Sequence, residues 1–275
     1  MDFKVPQLNV IQVLREIPTE GNTPLEVIAE DGKVYYAKSG KGQNPPISIL
    51  NEYICTFLLR IWEIHTPAIA TLELDPGIID FHLSVRNRKS HYRTPCFGSA
   101  LVPEAVEVTR LSDLGGTNLK LLANPLELIW IALFDNWVGN EDRKPSNLNL
   151  LQVEDRDSGK IRIFAIDHGQ AFLFMRYADL PEEVPHALSM GDSILDSNSG
   201  KEIAYRIGKR KWKEIIEGFP RKVQTCEKMF SNLSSFLPES LSLDIIEEKA
   251  LRRFLFDSER NEKVLQEFLT RYTRK

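Results

Sequence analysis

The stretch DNWVGNEDRKPSNLNLLQVEDRDSGKIRIFAIDHG, residues 135–169, contains two polar clusters on either side of a pair of apolar runs. NEDRKPSN precedes LNLLQV (148–153), and DHG follows KIRIFAI (160–166). Because the runs are β-prone and the polar turn EDRDSG separates them, we predict a hairpin. A hairpin returns its two ends to the same edge of the sheet, so the two polar clusters should lie close together.

Three polar side chains in these clusters have the spacing of a phosphate-transfer site. Asp142 and Asn147 are separated as D-x-x-x-x-N, and Asp167 follows the second predicted strand. On this geometry one amide and one carboxylate, from Asn147 and Asp167, can hold Mg²⁺ while Asp142 faces the reacting hydroxyl. Taken alone, D-x-x-x-x-N is more typical of ordinary turn residues. We expect the adjacent His168 to pack against its neighbours rather than to titrate in catalysis.

The N-terminal part of the chain has the pattern of a small β-rich lobe. Its strands are predicted over residues 25–30, 33–38, 69–74 and 78–85. Asp31-Gly32 joins the first two, and a DG pair between β-prone runs is a strong hairpin signal, so Lys38 should end a strand. Apolar residues between Ile47 and Ile61 recur at helical spacing, which predicts a helix that carries Glu52.

Lys38 and Glu52 stand in the order that a kinase requires: strand lysine, helix glutamate, D-x-x-x-x-N, then D-x-G. In a kinase the strand lysine touches the nucleotide phosphates and the helix glutamate holds that lysine. Each residue alone is more typical of a solvated surface. The order of all four elements is therefore what supports a nucleotide site.

The C-terminal part of the chain, from about residue 110, is mainly helical in pattern. NPLELIWIALFDNWVG begins with Asn124 as a cap and Glu127 placed for a capping box, and it is almost wholly apolar, which predicts a buried helix. Residues 200–275 are periodic and charged, consistent with helices packed on that core. We therefore predict two lobes, an N-lobe over residues 1–100 and a C-lobe over residues 101–275.

Composition limits the class of protein. The chain has 275 residues, 42% of them hydrophobic, which fits one large domain or two packed lobes. A net charge of −4 argues against bulk nucleic-acid binding. No signal peptide and no membrane-spanning segment is expected, since no apolar run is long enough. The three cysteines are far apart and lack CxxC spacing, so we expect a reducing, cytoplasmic setting.

The chain resembles the HipA-like kinases over most of residues 20–175. The matching pieces occur in the family's order: GNTPLEVIAEDGKVYYAK, NEYICTFLLRIWEIHTPA, FGSALVP, FDNWVGNEDRKPSN and FAIDHGQAF. The resemblance implies an α+β, bilobal protein-kinase-like fold that is also related to the phosphoinositide kinases. It implies a small β-rich N-lobe, a larger and mainly helical C-lobe, and ATP in the cleft between them.

The same resemblance implies roles for individual residues. Lys38 would contact the phosphates, Glu52 would hold Lys38, Asp142 would be the catalytic base, and Asn147 and Asp167 would bind Mg²⁺. The chain departs from protein kinases because it has no G-x-G-x-x-G motif. Only Gly21, Asn22 and Thr23 stand where a phosphate-covering loop belongs. No A-P-E motif follows Asp167, so substrate docking cannot be inferred from ordinary protein kinases.

The function predicted from these observations is an ATP- and Mg²⁺-dependent phosphotransferase acting on a Ser or Thr hydroxyl of a protein substrate. Two alternatives stay open: a nucleotide-binding pseudokinase that regulates a partner without turnover, and a phosphoinositide-type lipid kinase with the same metal-binding residues. We expect the chain to lack the extra N-terminal portion of full-length HipA toxins. That expectation weakens the case for an antitoxin-type partner.

Overall fold

The computed structural model describes residues 4–19, 23–43, 46–85, 87–114, 119–181 and 192–273. The chain divides into two compact units that are not continuous in sequence. The first unit comprises Met1–Phe57, Pro67–Pro103 and Asn232–Ser242, and the second comprises Leu58–Thr66, Glu104–Ser231 and Leu243–Lys275. The assignment of residues 1–100 and 101–275 to two lobes stays a prediction.

The first unit contains a closed barrel of five strands in the order β1-β2-β3-β5-β4. The strands are β1 (Gln7–Glu16), β2 (Leu25–Ala29), β3 (Val34–Lys38), β4 (Ile69–Glu73) and β5 (Cys96–Ala100). The predicted hairpin is confirmed, because β2 and β3 pair antiparallel around a turn in which Gly32 has φ +77°. Leu25, Val27 and Ala29 are fully buried, as period-two alternation requires of the face that lines a barrel.

The strand predicted over residues 78–85 is wrong. A short 3₁₀ turn occupies Pro76–Ile78, where the Asp75 carboxylate accepts a hydrogen bond from the Gly77 amide at 2.8 Å. Ile79 is buried in the barrel core, and Phe81 packs against that core without strand pairing. The apolar spacing of this segment thus reflects burial of an irregular chain against the barrel and not a sheet face.

The predicted helix after β3 is confirmed as α1 (Ile47–Trp62). Its residues up to Phe57 belong to the first unit and the remainder to the second. Most of its side chains are buried, which explains why apolar residues occur on more than one of its faces.

The second unit contains the hairpin predicted from residues 148–166. Its sheet has the order β6-β7-β8, with β6 at Val106–Glu107, β7 at Leu150–Glu154 and β8 at Ile161–Ala165. β7 and β8 are antiparallel, and Leu150 is opposite Ala165. The hairpin therefore returns the chain to the same edge of the sheet.

The buried helix predicted from NPLELIWIALFDNWVG is α2 (Glu127–Val138). Asn124 accepts a hydrogen bond from the Leu126 amide at 3.0 Å, but Glu127 does not complete a capping box. Its carboxylate instead lies 2.6 Å from Nδ1 of His65, a contact across 62 positions of sequence that a local pattern cannot predict. α2 ends at Gly139, which has the left-handed conformation of a helix C-cap at φ +62°.

In the described part of the chain after β8, five α-helices follow: α3 (Asn198–Arg206), α4 (Gly208–Met229), α5 (Leu233–Phe236), α6 (Ile245–Phe256) and α7 (Ser258–Thr273). In the second unit Trp62 stacks on Trp137 at 5.1 Å and meets Trp130, Phe134 and Phe219 edge to face. Three rings of this aromatic cluster belong to α2, the helix that leads into the predicted catalytic loop. Within the described ranges, every helix is too short or too polar to cross a membrane.

Candidate active site

Lys38 and Glu52 form an ion pair in the first unit. Lys38 is the last residue of β3 and Glu52 lies on α1, and the Nζ to Oε1 distance is 2.5 Å. Their side chains are only 11% and 5% exposed. Removing two charges from water is costly, and an apolar pair of similar volume would often stabilise a fold as well. Stability alone therefore gives little reason for this pair to be here.

The segment expected to cover phosphates lies between β1 and β2. Gly21 and Asn22 fall outside the described residues. Thr23 is buried, and its backbone carbonyl accepts a hydrogen bond from Nδ2 of Asn87 at 3.2 Å. Among the described residues, no atom forms a hydrogen bond with the buried Oγ1 of Thr23. Phosphate binding by this segment stays a prediction.

Asp142 lies in the loop that follows α2. Its Oδ2 accepts a hydrogen bond from Nδ2 of Asn149 at 3.1 Å, and its backbone carbonyl accepts one from Nδ2 of Asn147 at 3.3 Å. Lys144 and Asn147 also exchange backbone hydrogen bonds of 3.0 and 2.9 Å, which tightens the loop. Within the described chain, Oδ1 of Asp142 accepts no side-chain hydrogen bond, whereas Asn149 orients Oδ2.

Arg143, which sequence reasoning missed, connects this loop to the end of β8. It is only 1% exposed, and Nη1 donates to the carbonyls of Leu148, at 2.9 Å, and Asn149. Nη2 donates to the carbonyl of Ile166 at 2.9 Å. Because Ile166 precedes Asp167, one guanidinium brings the D-x-x-x-x-N loop and the DHG segment together. A charged residue among turn formers gave no sequence signal of this role.

Asp135 and His168 complete the surroundings of Arg143. The Asp135 carboxylate lies 2.8 Å from Nε of Arg143, and burial raises the pKa of Asp135 to about 6 although the arginine opposes the shift. Nε2 of His168 lies 2.8 Å from Nη2 of Arg143. Since arginine can only donate, Nε2 is the acceptor in this contact. His168 is also buried and meets Phe134 edge to face, so the packing role expected of it is confirmed.

Asp167 has a positive φ of +58°, a conformation that is uncommon for residues other than glycine. Such strain costs about 1–3 kcal/mol and clusters at ligand and catalytic sites. The residues that follow, Phe172, Leu173 and Phe174, also have positive φ. Leu173 packs so closely on Gly139 that a Cβ there would lie 2.9 Å from Cδ2 of Leu173. The segments before and after the site are thus in direct contact.

The donor set suits a hard cation that arrives with a nucleotide. Asn147 and Asp167 offer an amide oxygen and a carboxylate, the oxygen ligands that Mg²⁺ prefers. In the part of the chain that the structure describes, no group of three or more His, Cys, Asp or Glu side chains could hold a metal by itself. Mg²⁺ is commonly bound by one or two carboxylates together with substrate phosphates, so a two-residue set fits that use.

The chain is similar to known kinases in sequence and in fold. A family model described as HipA-like kinase matches residues 10–237. The fold resembles the Helicobacter pylori proinflammatory kinase CtkA, with a TM-score of 0.57 and 12% identity over 98% of each chain. A Golgi casein kinase solved with Mn/ADP bound is 12% identical, with a TM-score of 0.45 over 98% of this chain and 74% of that one.

A comparison with curated protein sequences finds no match. The likeness to the H. pylori kinase confirms a kinase fold with a β-rich N-terminal region and a helical C-terminal part. The family match covers well over half of the chain. The chain belongs to the HipA-like kinase family.

Proposed function

We propose that the chain transfers the γ-phosphoryl group of ATP, in a Mg²⁺-dependent reaction, to a Ser or Thr hydroxyl of a protein. Its membership of a kinase family supports phosphotransfer in general. The observation that carries the finer proposal is the bonding of Arg143 to carbonyls on both sides of the site. That bonding holds the loop of Asp142 and Asn147 beside the strained Asp167.

Asp142 is the proposed catalytic base. Its Oδ2 accepts a hydrogen bond from Asn149, which orients the carboxylate and leaves Oδ1 to accept the proton of the attacking hydroxyl. A phosphoryl-transfer base in this position acts largely by orienting the nucleophile. Asn149 is therefore a proposed positioning residue for Asp142.

Asn147 and Asp167 are the proposed ligands of Mg²⁺, which when bound with ATP neutralises charge on the phosphates. Lys38 is proposed to contact the phosphates as well. Glu52 holds the lysine Nζ at 2.5 Å, which restricts its motion before nucleotide binds. We also propose that the segment of Gly21, Asn22 and Thr23 contacts the phosphates.

A protein substrate and a reducing, cytoplasmic setting belong to the same proposal. Cys55, Cys96 and Cys226 are buried thiols, which supports a compartment where thiols stay reduced. We propose the hydroxyl of a protein as acceptor and keep that of a lipid as the alternative. The experiment below includes both acceptors.

Transfer of radiolabel from ATP tests the proposal. The purified chain is incubated with Mg²⁺ or with a chelator, and the acceptor is the chain itself, cell-lysate protein or phosphoinositide vesicles. We expect Mg²⁺-dependent label on Ser or Thr of protein. Asp142→Asn should lose about 10²–10⁴-fold in rate, because an amide cannot accept the proton. Asp157→Asn, in the exposed turn between β7 and β8, is the matched control and should transfer like the parent.

Three results would contradict the proposal. Equal transfer by the parent and Asp142→Asn would place the active carboxylate elsewhere. Nucleotide binding without transfer to any acceptor would favour a pseudokinase. Label that enters only the lipid would favour the lipid-kinase alternative.

A further inference from the structure

The last two helices, α6 and α7, follow residue 237, where the family match ends, and they contact the end of α2. Nε1 of Trp137 donates to the carbonyl of Leu255 at 3.0 Å. In return, Nη2 of Arg260 donates to the carbonyl of Trp137 at 2.6 Å. Trp137 is the penultimate residue of α2, so both hydrogen bonds are made just before the loop that carries Asp142.

The contact between Arg260 and Trp137 provides a hydrogen-bond donor for a carbonyl at the end of α2. The last four carbonyls of an α-helix have no partner within the helix, and the helix dipole makes that end negative. A cation that donates to such a carbonyl satisfies both conditions. Arg260 is only 6% exposed, and its backbone amide is held by the Asp257 carboxylate at 2.7 Å, so α7 presents this arginine in a fixed place.

The same helices also contact the chain that follows Asp167. The rings of Phe254 and Phe172 meet edge to face at 6.1 Å, and Nη2 of Arg253 donates to the carbonyl of Leu180 at 3.2 Å. α6 and α7 thus touch the chain both before and after the candidate site, within one compact unit.

Burying the charged Arg260 side chain in this position costs free energy. Its Nε and Nη1 atoms are buried, and no described atom forms a hydrogen bond with either. Its guanidinium carbon lies 4.0 Å from the centroid of the Phe254 ring, and burial lowers the pKa of the group. An apolar side chain of similar volume would avoid the cost of burying a charge. An apolar side chain could not donate the hydrogen bond to the end of α2.

We propose that Arg260 is a positioning residue: by holding the Trp137 carbonyl it fixes the end of α2 and hence the loop that carries Asp142. The C-terminal helices then support the site in a chain without the A-P-E segment of ordinary protein kinases. The consequence for catalysis rests on the proposed function, whereas the consequence for the loop does not.

Amide hydrogen exchange tests the effect on the loop without requiring activity. The reporters are the amides of Asn140, Lys144 and Asn147, which bond to backbone carbonyls within or beside the loop. In Arg260→Met we expect these amides to exchange about tenfold faster, the effect of losing one hydrogen bond to a charged group, while β-barrel amides keep their rates. Lys263→Met is the matched control, since it removes a cation from the same helix, in an exposed pair with Glu259.

Steady-state kinetics give the second readout. Arg260→Met should lower kcat about tenfold while KM for ATP changes less than about threefold, because the loop and not the nucleotide site is disturbed. Arg260→Lys keeps a charged donor and should recover part of kcat. Should Arg260→Met not fold, Trp137→Phe should speed exchange at the same amides about threefold. This change removes the indole donor to Leu255 together with part of the ring that stacks on Trp62.

Unchanged exchange at the three loop amides in the folded variants would overturn the proposal. Faster exchange spread evenly over the chain would also overturn it, because that result indicates lost global stability rather than positioning. A parent that transfers no phosphate would contradict the proposed function and leave the exchange result to decide the role of Arg260.

Discussion

In the first unit, the side chains of Lys38 and Glu52 contact each other directly, whereas in the second unit Arg143 joins the loop of Asp142 and Asn147 to the segment that carries Asp167. The second group depends on Arg143, which binds the backbone carbonyls of Leu148, Asn149 and Ile166. A direct pair can be inferred from the order of motifs. Predicting a site that is held through backbone carbonyls requires knowing which buried side chain donates to those carbonyls.

Removal of Arg143 should produce the largest effect on stability. Arg143→Met leaves the buried Asp135 carboxylate without its cation, and breaking one side of a buried pair costs about 3–5 kcal/mol. Urea denaturation should show this loss in the free energy of unfolding. Adding Asp135→Leu to Arg143→Met should restore part of the stability without restoring transfer. If the single variant is as stable as the parent, the second group is not held by Arg143.

Changes to Lys38 or Glu52 should affect the transfer rate more than the free energy of unfolding. We expect Lys38→Ala to reduce transfer about 10²-fold or more, the scale of losing one charged contact to a developing negative charge. The swapped variant, Lys38→Glu with Glu52→Lys, should not recover transfer, since the lysine must also reach phosphate from β3. Full activity in Lys38→Ala would exclude the first unit from the nucleotide site.

Asn149 offers a sharper comparison within the second group. Asn149→Ala removes the donor to Oδ2 of Asp142, and a hydrogen bond to a charged group contributes about 1.5–3 kcal/mol. The transfer rate should therefore fall by a factor of about 10 to 10². This loss is smaller than the one expected for Asp142→Asn, while Mg-ATP affinity stays near that of the parent. Equal losses in both variants would mean that Asn149 does more than orient the carboxylate.

The smallest expected effect concerns His65, which neither group includes. Its hydrogen bond to the buried Glu127 raises the pKa of His65 above the ordinary 6.5. A raised pKa means that the folded state binds the proton more tightly. The pair therefore stabilises the folded state at pH values below the ordinary pKa of histidine. This stabilisation is lost as the pH rises through the raised pKa of His65.

Thermal unfolding of the parent and His65→Gln measures that contribution. The parent's advantage in Tm should be largest near about pH 5.5 and should shrink by about pH 8.5. An advantage that grows with pH would mean that the interaction stabilises the neutral ring instead.

Local patterns predicted the hairpins and most of the helices, because turn residues and apolar periodicity act over a few positions. The order of Lys38, Glu52, Asp142, Asn147 and Asp167 also indicated the kinase fold correctly. The strand expected over residues 78–85 failed, since apolar spacing does not distinguish a sheet face from an irregular chain packed on a barrel. The contacts of Arg143 and Arg260 were missed because each joins segments whose proximity depends on the whole fold.

The most direct test of the proposed metal site needs no acceptor. Calorimetric titration should show that the parent binds ATP more tightly with Mg²⁺ than without it, because the triphosphate carries more charge than Lys38 alone can offset. Asp167→Ala should lose that Mg²⁺-dependent gain, whereas Asp157→Ala in the exposed turn should keep it. An Asp167→Ala variant that binds Mg-ATP as tightly as the parent would contradict the metal site.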